Sequence, residues 1–306
     1  MTQAVGTPVP FGRLLTAMVT PMRPDGSLDL DGAARLATEL VDRQGNDGLV
    51  ISGTTGESPT TSDAEKDSLL RAVLDAVGDR AAIVAGVGTN DTRHTIELAR
   101  AAEKAGAHGI LVVAPYYNKP PQAGVLRHFT AVADATGLPM LMYDIPHRAG
   151  IAIETDTLCR LAEHDRIVGV KDAKGALLET SRVIATTGLA FYAGDDGMTL
   201  PVLAIGGVGV VGTSTHFSGA RTKAMIEAFL AGDTGRALAL HQALLPIFTG
   251  IFRSPGTILV KAGLNLSGRP GGPVRSPLVD ATEAEIDVLR ADCARAGIEL
   301  VERVTT

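Results

Sequence analysis

A lysine ends one of the most apolar segments of the chain. The segment IVGVKDAKG, at residues 167–175, begins with the β-branched run of a buried strand, and Lys171 follows that run. Lysine is rarely fully buried, so either the strand reaches water here or it presents the amine to a site. An apolar setting lowers the preference of an amine for its charged form, and a free amine attacks carbonyl groups. Lys171 is therefore a candidate nucleophile.

Lysine and a 2-keto acid form a protonated imine, an electron sink that allows carbanion chemistry without a metal. Such a site also needs hydroxyl groups that move protons, donors for a carboxylate and a cation for a second carboxylate. Tyr143 and Tyr117 follow predicted strands and offer hydroxyls. The turn GTTG offers backbone N–H groups and the hydroxyls of Thr54 and Thr55. Arg148 is suited to a bidentate grip on a carboxylate.

The elements that must position these residues follow a regular order. Continuous apolar runs of strand length are typical of parallel strands buried on both faces. They lie at residues 14–22, 48–53, 82–88, 109–115, 139–146, 167–173, 189–196 and 207–213. Helical patterns separate them, and one opens with Ser62 and Glu65, the signature of a capping box. Eight strand–helix units predict an α/β fold, a (β/α)8 TIM barrel with its active site at the carboxyl ends of the strands.

The alternation of predicted strands and helices ends after Gly232. Helical segments at 232–252, 256–268 and 282–297 follow one another with no strand between them. We therefore predict two parts, a barrel over residues 1–234 and a small C-terminal helical domain over residues 235–306.

Composition narrows the classes of function. The 306 residues are 45% hydrophobic and 20% charged, as in ordinary soluble domains, and the net charge of −6 leaves no basic surface for nucleic acid. No stretch approaches the roughly 18 uncharged apolar residues of a membrane span, and MTQAVGTP at the start lacks the features of a signal peptide. Cys159 and Cys293 lie far apart, without disulfide or metal spacing. We predict a cytoplasmic protein with neither metal nor cofactor.

Five motifs at predicted strand ends carry a family resemblance: GTTGES (53–58), PYYNKP (115–120), YDIPHR (143–148), GVKDA (169–173) and AGDD (193–196). In this order and spacing they resemble those of the dihydrodipicolinate synthase family, within the pyruvate-dependent class I aldolase superfamily that shares the N-acetylneuraminate lyase fold. Each motif alone is a weak signal, whereas five in register are specific. The resemblance extends over nearly the whole chain.

The resemblance implies an enzyme that condenses pyruvate with L-aspartate 4-semialdehyde in diaminopimelate and lysine biosynthesis. Lys171 would form the Schiff base with pyruvate. Tyr143 would exchange protons beside it, with Thr54, Thr55 and Tyr117 completing a hydroxyl relay. Thr54 and Thr55 would also hold the pyruvate carboxylate.

The same resemblance assigns the rest of the site. Gly194 and Val211 would line the pocket through backbone contacts, and Arg148 would hold the carboxylate of L-aspartate 4-semialdehyde. Tyr117 would reach the site of a neighbouring subunit, which implies a homo-oligomer, usually a tetramer of two tight dimers.

Two other functions stay open at this point. A related aldolase or lyase acting on a sugar acid or another aldehyde is supported only by His147, where a small residue is frequent, and by Gly212, where serine is frequent. A non-catalytic paralogue that binds a keto acid would not need a reactive lysine. Arg148 favours the synthase, because sugar-acid lyases generally lack this arginine.

Two further patterns have simpler interpretations. GVGVVG at 207–212 matches a dinucleotide-binding fingerprint, with Glu227 about twenty residues beyond its first glycine. Too little α/β structure follows it for a dinucleotide-binding half, so we interpret it as glycines packed in the eighth strand. Asp195 and Asp196 are predicted to cap the following helix.

Feedback inhibition by lysine can be predicted from three positions. Members of the family inhibited by lysine carry histidines after GES and a glutamate after the TGxN segment, and here Asp63, Lys66 and His94 take those places. Lys66 and a protonated His94 would repel the ammonium group of lysine. We therefore predict weak or absent inhibition, and half-inhibition by sub-millimolar lysine in a steady-state assay would contradict this.

Overall fold

Eight parallel strands close into a barrel in sequence order, which confirms the predicted fold class. The structure, a computed structural model, describes residues 8–300. The strands are β1 (Leu14–Ala17), β2 (Gly48–Ile51), β3 (Ala82–Gly86), β4 (Gly109–Val113), β5 (Met140–Asp144), β6 (Ile167–Asp172), β7 (Ala190–Ala193) and β8 (Gly209–Gly212). Each lies within one of the eight predicted segments. Two ends of the chain lie outside the described residues. They are residues 1–7, which contain most of the segment expected to lack a signal peptide, and residues 301–306 of the predicted C-terminal domain.

Alternation along each strand explains the continuous apolar runs. On β5, Leu141 and Tyr143 point into the barrel, whereas Met140 and Met142 point into the layer between the sheet and the helices. Both layers exclude water, so residues on both faces of a strand must be apolar.

Helices surround the barrel and continue beyond it. In chain order they are α1 (Leu30–Asp42), α2 (Asp63–Val77), α3 (Thr92–Ala105), α4 (Gln122–Asp134), α5 (Pro146–Ala149), α6 (Thr155–Leu161), α7 (Leu177–Thr186), α8 (Thr199–Ala204), α9 (Thr215–Leu230), α10 (Thr234–Gly250), α11 (Gly256–Leu266) and α12 (Glu283–Arg295). The capping box of Ser62 and Glu65 is present at the start of α2, as predicted. No helix in the described part of the chain is long and apolar enough to cross a membrane.

The last three helices follow without an intervening strand. α10 begins one residue before the predicted boundary at 234/235, and it packs against α9 as well as against α12. The helical character of this region was predicted correctly. Its division from the barrel as a separate domain stays a prediction, because α9 and α10 are in extensive contact.

The glycine-rich segment near 207–212 forms part of the barrel wall. A Cβ atom on Gly209 would lie 1.9 Å from the backbone oxygen of Arg13, so β8 can approach β1 only with glycine at this position. Close strand packing therefore accounts for this part of the dinucleotide-like pattern.

Candidate active site

Tyr143 and Lys171 lie side by side at the carboxyl ends of neighbouring strands. They are direct partners in the register of β5 and β6, and each is only 5% exposed. The Lys171 Nζ lies 4.3 Å from the centre of the Tyr143 ring. An amine and a phenol can thus act on the same small substrate at the mouth of the barrel.

Burial favours the uncharged form of the Lys171 amine. It lowers the pKa of Lys171 from 10.5 to about 8, against the opposing effect of Asp196 and with a smaller lowering contribution from Arg148. A larger fraction of the amine is therefore uncharged near neutral pH than for a lysine in water.

Imine formation should report this shift directly. The rate with a 2-keto acid such as pyruvate is expected to rise as pH increases from about 6 to about 8 and then to level off, because only the deprotonated amine attacks the carbonyl. Borohydride quenching at short times, followed by mass analysis, measures this rate. The exposed Lys104 provides a control, since Lys104→Ala should leave the profile unchanged. A rate that keeps rising up to about pH 10 before it levels off would contradict the shift.

Tyr143 stays protonated under the same conditions. Burial raises its pKa to about 12, and the charge of Arg148 and a hydrogen bond with the Thr54 side chain only partly oppose this effect. The phenol therefore keeps its proton near neutral pH, as its predicted role as a proton donor requires, and it is hydrogen-bonded to the Thr54 side chain.

The GTTGES turn is held from the C-terminal part of the chain. Thr257 on α11 donates a hydrogen bond from its hydroxyl to the backbone oxygen of Thr55 at 3.1 Å. Glu57 has a left-handed backbone with φ of 57° and a buried carboxylate. That carboxylate lies 2.5 Å from the buried Nζ of Lys261 on α11 and accepts the backbone N–H of Arg275 at 2.8 Å.

Sequence reasoning missed these supports. Lys261 and Thr257 lie about two hundred positions from their partners in the chain. One signal was available, since a lone lysine within the apolar segment TILVKAGL needs a buried partner.

Two adjoining cavities meet at Thr54, Tyr143 and Arg148. The inner cavity, about 640 Å³, also contains Lys171 and Gly194 and opens toward the C-terminal helices. The outer cavity, about 780 Å³, is lined instead by the residues that follow β4: Tyr116, Tyr117 and Lys119. The structure thus brings Thr54, Tyr143, Lys171 and Arg148 together, while Tyr117 lines the outer cavity and not the inner one.

The other predicted site residues occupy different depths. A Cβ atom on Gly194 would lie 2.9 Å from that of Ala173, so glycine keeps the chain close to the end of β6. Thr55 is buried, with its hydroxyl 3.4 Å from that of Thr213. Val211 is fully buried in the barrel wall, and Thr213 is the residue after β8 that lines the inner cavity. The binding roles of Gly194 and Val211 stay predictions.

The two neighbouring aspartates have different roles. Asp195 accepts a hydrogen bond from the N–H of Gly197 at 2.9 Å and caps the short 3-10 helix Asp196–Met198 that precedes α8, so its predicted capping role is confirmed. The prediction for Asp196 was wrong. Its buried carboxylate accepts the N–H groups of Thr213 and Ser214, each at 3.0 Å, because the end of β8 lies directly beside it. Asp196 therefore joins the ends of β7 and β8.

A closed (β/α)8 barrel with a buried lysine beside a tyrosine at its carboxyl end defines an aldolase-type enzyme that works through a Schiff base. The chain belongs to the dihydrodipicolinate synthetase family, whose model matches residues 10–296.

Two curated relatives and one solved structure extend this result. The 4-hydroxy-tetrahydrodipicolinate synthase of Acidothermus cellulolyticus is 70% identical over 290 residues, covering 95% of this chain and 94% of the relative. The 4-hydroxy-tetrahydrodipicolinate synthase 2 of Streptomyces coelicolor is 60% identical over 291 residues, covering 95% of this chain and 97% of the relative. The crystal structure of dihydrodipicolinate synthase from Cyanidioschyzon merolae with lysine bound superposes with a TM-score of 0.92 at 41% identity. The match covers 94% of this chain and 98% of that one.

Proposed function

We propose that the protein condenses pyruvate with L-aspartate 4-semialdehyde to give 4-hydroxy-tetrahydrodipicolinate, in diaminopimelate and lysine biosynthesis. The observation that carries this proposal is the buried Lys171–Tyr143 pair at a cavity that also contains Arg148. The relatives named above favour this function over a sugar-acid lyase or a binding paralogue.

The first half-reaction activates pyruvate. The free amine of Lys171 attacks the C2 carbonyl, and loss of water gives a protonated imine. Tyr143 and the Thr54 hydroxyl move the protons that this dehydration requires. The Thr54–Thr55 turn holds the carboxylate, and loss of a methyl proton then gives an enamine.

The second half-reaction forms the carbon–carbon bond and closes the ring. The enamine carbon attacks the aldehyde carbon of L-aspartate 4-semialdehyde, whose carboxylate is held by Arg148. The aldehyde oxygen takes up a proton and becomes a hydroxyl group, and the imine on Lys171 is restored. The amine of this substrate then adds to the imine carbon, and the amine of Lys171 leaves as the ring closes.

Arg148→Met tests the assignment of the second substrate. We expect kcat/KM for L-aspartate 4-semialdehyde to fall about 10- to 100-fold, because a charge-assisted bidentate contact is lost. Borohydride trapping of pyruvate should change much less, because Arg148 makes only a small contribution to the lowered pKa of Lys171. Arg148→Lys should recover part of the loss because it keeps a point charge. Unchanged aldehyde kinetics in Arg148→Met would reject this role and reopen the choice of aldehyde.

We also infer a homo-oligomer, with a tetramer as the expected state. The Tyr117 side chain is 86% exposed on a backbone with φ of 70°, so its own chain does not cover the ring. A second subunit that covers it would account for this placement. Sedimentation equilibrium should give four chains per particle, and a fully active monomer would contradict the inference.

The residues of the predicted lysine site lie together at the start of α2 and on α3. His94 Nε2 lies 2.9 Å from Asp63 Oδ2, and Lys66 Nζ lies 3.9 Å from Asp63 Oδ1. The positive charge of Lys66 would repel the ammonium group of a lysine bound at these positions, which supports weak or absent inhibition.

We further propose a cytoplasmic location, supported by the free thiols of Cys159 and Cys293.

A further inference from the structure

Two carboxylates lie directly behind the catalytic pair. Asp144 and Asp172 follow Tyr143 and Lys171 on β5 and β6 and are themselves partners in register. Because side chains alternate along a strand, they point away from the barrel, to the side of Met142 and Val170. That layer is otherwise mainly apolar, so charges buried there need partners.

Lys174 supplies the charge partner for Asp144. It follows β6, with a side chain that is 10% exposed, and its Nζ lies 3.7 Å from Oδ2 of Asp144, which is 1% exposed. Within residues 8–300, that Oδ2 atom has no hydrogen-bonding partner, so this ion pair is its charge compensation. On its outer side Lys174 meets Glu179 of α7 at 3.1 Å. Asp172 is engaged separately, by the Lys174 N–H at 2.9 Å and by the Thr180 hydroxyl.

Both groups of the ion pair also bind the backbone of a single residue, Ile153. Asp144 Oδ1 accepts the N–H of Ile153 at 3.2 Å, and Lys174 Nζ donates to the carbonyl of Ile153 at 3.4 Å. Asp144 and Ile153 are nine residues apart, at the two ends of the segment that contains α5 and Arg148. The contacts therefore close this segment at its base and attach it to the strand that carries Lys171.

The segment depends on such anchors. α5 is only four residues long and has no side-chain hydrogen bond at its N-cap. A helix of one turn is not stable alone in water, so its orientation depends on what holds its ends.

We propose that Asp144 and Lys174 form a clamp on Ile153 that positions Arg148, and that this clamp determines the affinity for the second substrate. The role of the clamp rests on the proposed function, because it acts through the carboxylate of the aldehyde substrate. Neither residue touches a reacting atom, so both are positioning residues.

Charge on Asp144 strengthens the clamp, and protonation removes it. Burial raises the pKa of Asp144 to about 6, with Lys174 and the Ile153 N–H opposing the shift and Asp172 adding to it. As pH falls through about 6, Asp144 becomes neutral and its attraction to Lys174 is lost. The affinity for the aldehyde substrate should fall with it, while imine formation on Lys171 follows its own pH dependence.

Asp144→Asn is the sharpest variant, since the amide keeps the shape and one acceptor oxygen but loses the charge. At pH 7.5 we expect the KM for L-aspartate 4-semialdehyde to rise about three- to thirtyfold, with the KM for pyruvate changed less than twofold. Lys174→Met should raise the aldehyde KM further, because it leaves the carboxylate buried without a cation. The double variant should lie closer to wild type than Lys174→Met alone.

The pH profile separates a clamp from a merely structural contact. Between pH 7.5 and 5.5 the aldehyde KM of the wild type should rise, and that of Asp144→Asn should stay flat. Histidines also change charge in this range, so both proteins are compared again in a His147→Asn background.

Three outcomes are decisive. Unchanged aldehyde KM in Asp144→Asn and Lys174→Met, with normal wild-type turnover, would overturn the clamp alone. An equal rise in both KM values would also overturn it, since that would reveal general loosening of the site. A wild-type protein that forms no pyruvate adduct would reject the proposed function first.

Discussion

Lys171→Ala is expected to lose at least about 10³-fold in kcat/KM and to form no adduct with pyruvate. Among the described residues that line the inner cavity, only Lys171 carries a primary amine, the group that forms an imine, and alanine removes it. Steady-state condensation assays measure the loss. Borohydride reduction with pyruvate, followed by peptide mass mapping, locates the adduct.

Lys104→Ala is the matched control, since Lys104 is exposed on α3 and should retain both activity and the adduct. An adduct that persists in Lys171→Ala on another lysine would overturn the assignment of the nucleophile. No adduct from folded wild-type protein would mean that the motifs are present without their chemistry.

Tyr143→Phe is expected to lower kcat by about 10²- to 10⁴-fold, the usual contribution of a positioned proton donor. Phenylalanine keeps the ring that lies 4.3 Å from the Lys171 amine, so the apolar setting of the lysine should survive. The loss should therefore appear in the rate of imine formation and in turnover more than in either KM. Stopped-flow imine formation and steady-state kinetics measure the two separately.

Tyr192→Phe provides the comparison within the same barrel interior. The Tyr192 hydroxyl donates to the backbone oxygen of Gly12 at 2.9 Å and lines neither active-site cavity. This variant should lose about 1 kcal/mol of stability and little activity. A loss of less than tenfold in Tyr143→Phe would transfer the proton-donor role to another hydroxyl.

Features encoded in short stretches of sequence were predictable. A strand buried on both faces must be apolar along its whole length, so eight such runs sufficed to predict the barrel and its order. The capping box at Ser62 depends on residues three apart, and it formed as expected. Lys171 could be singled out as a candidate because a lysine at the end of a buried strand is costly without a function, and its role as the nucleophile stays a prediction.

Contacts between distant segments were not predictable in this way. The partnership of Glu57 with Lys261 spans 204 positions, and the direct pairing of Tyr143 with Lys171 depends on the register of two strands. Asp196 was misassigned for the same reason, since its partners come from the end of β8.

The sequence by itself determined the barrel, because periodicity and local motifs act within a few residues of the chain, and it supplied the candidate nucleophile and the groups predicted to surround it. The tertiary structure alone decided which groups meet. Strand register set the distance between the amine and the phenol, and the C-terminal helices set the GTTGES turn. The clamp on Ile153 arises in the same way, because Asp144 ends β5 and Lys174 follows β6, so the two charges meet only when these strands pair.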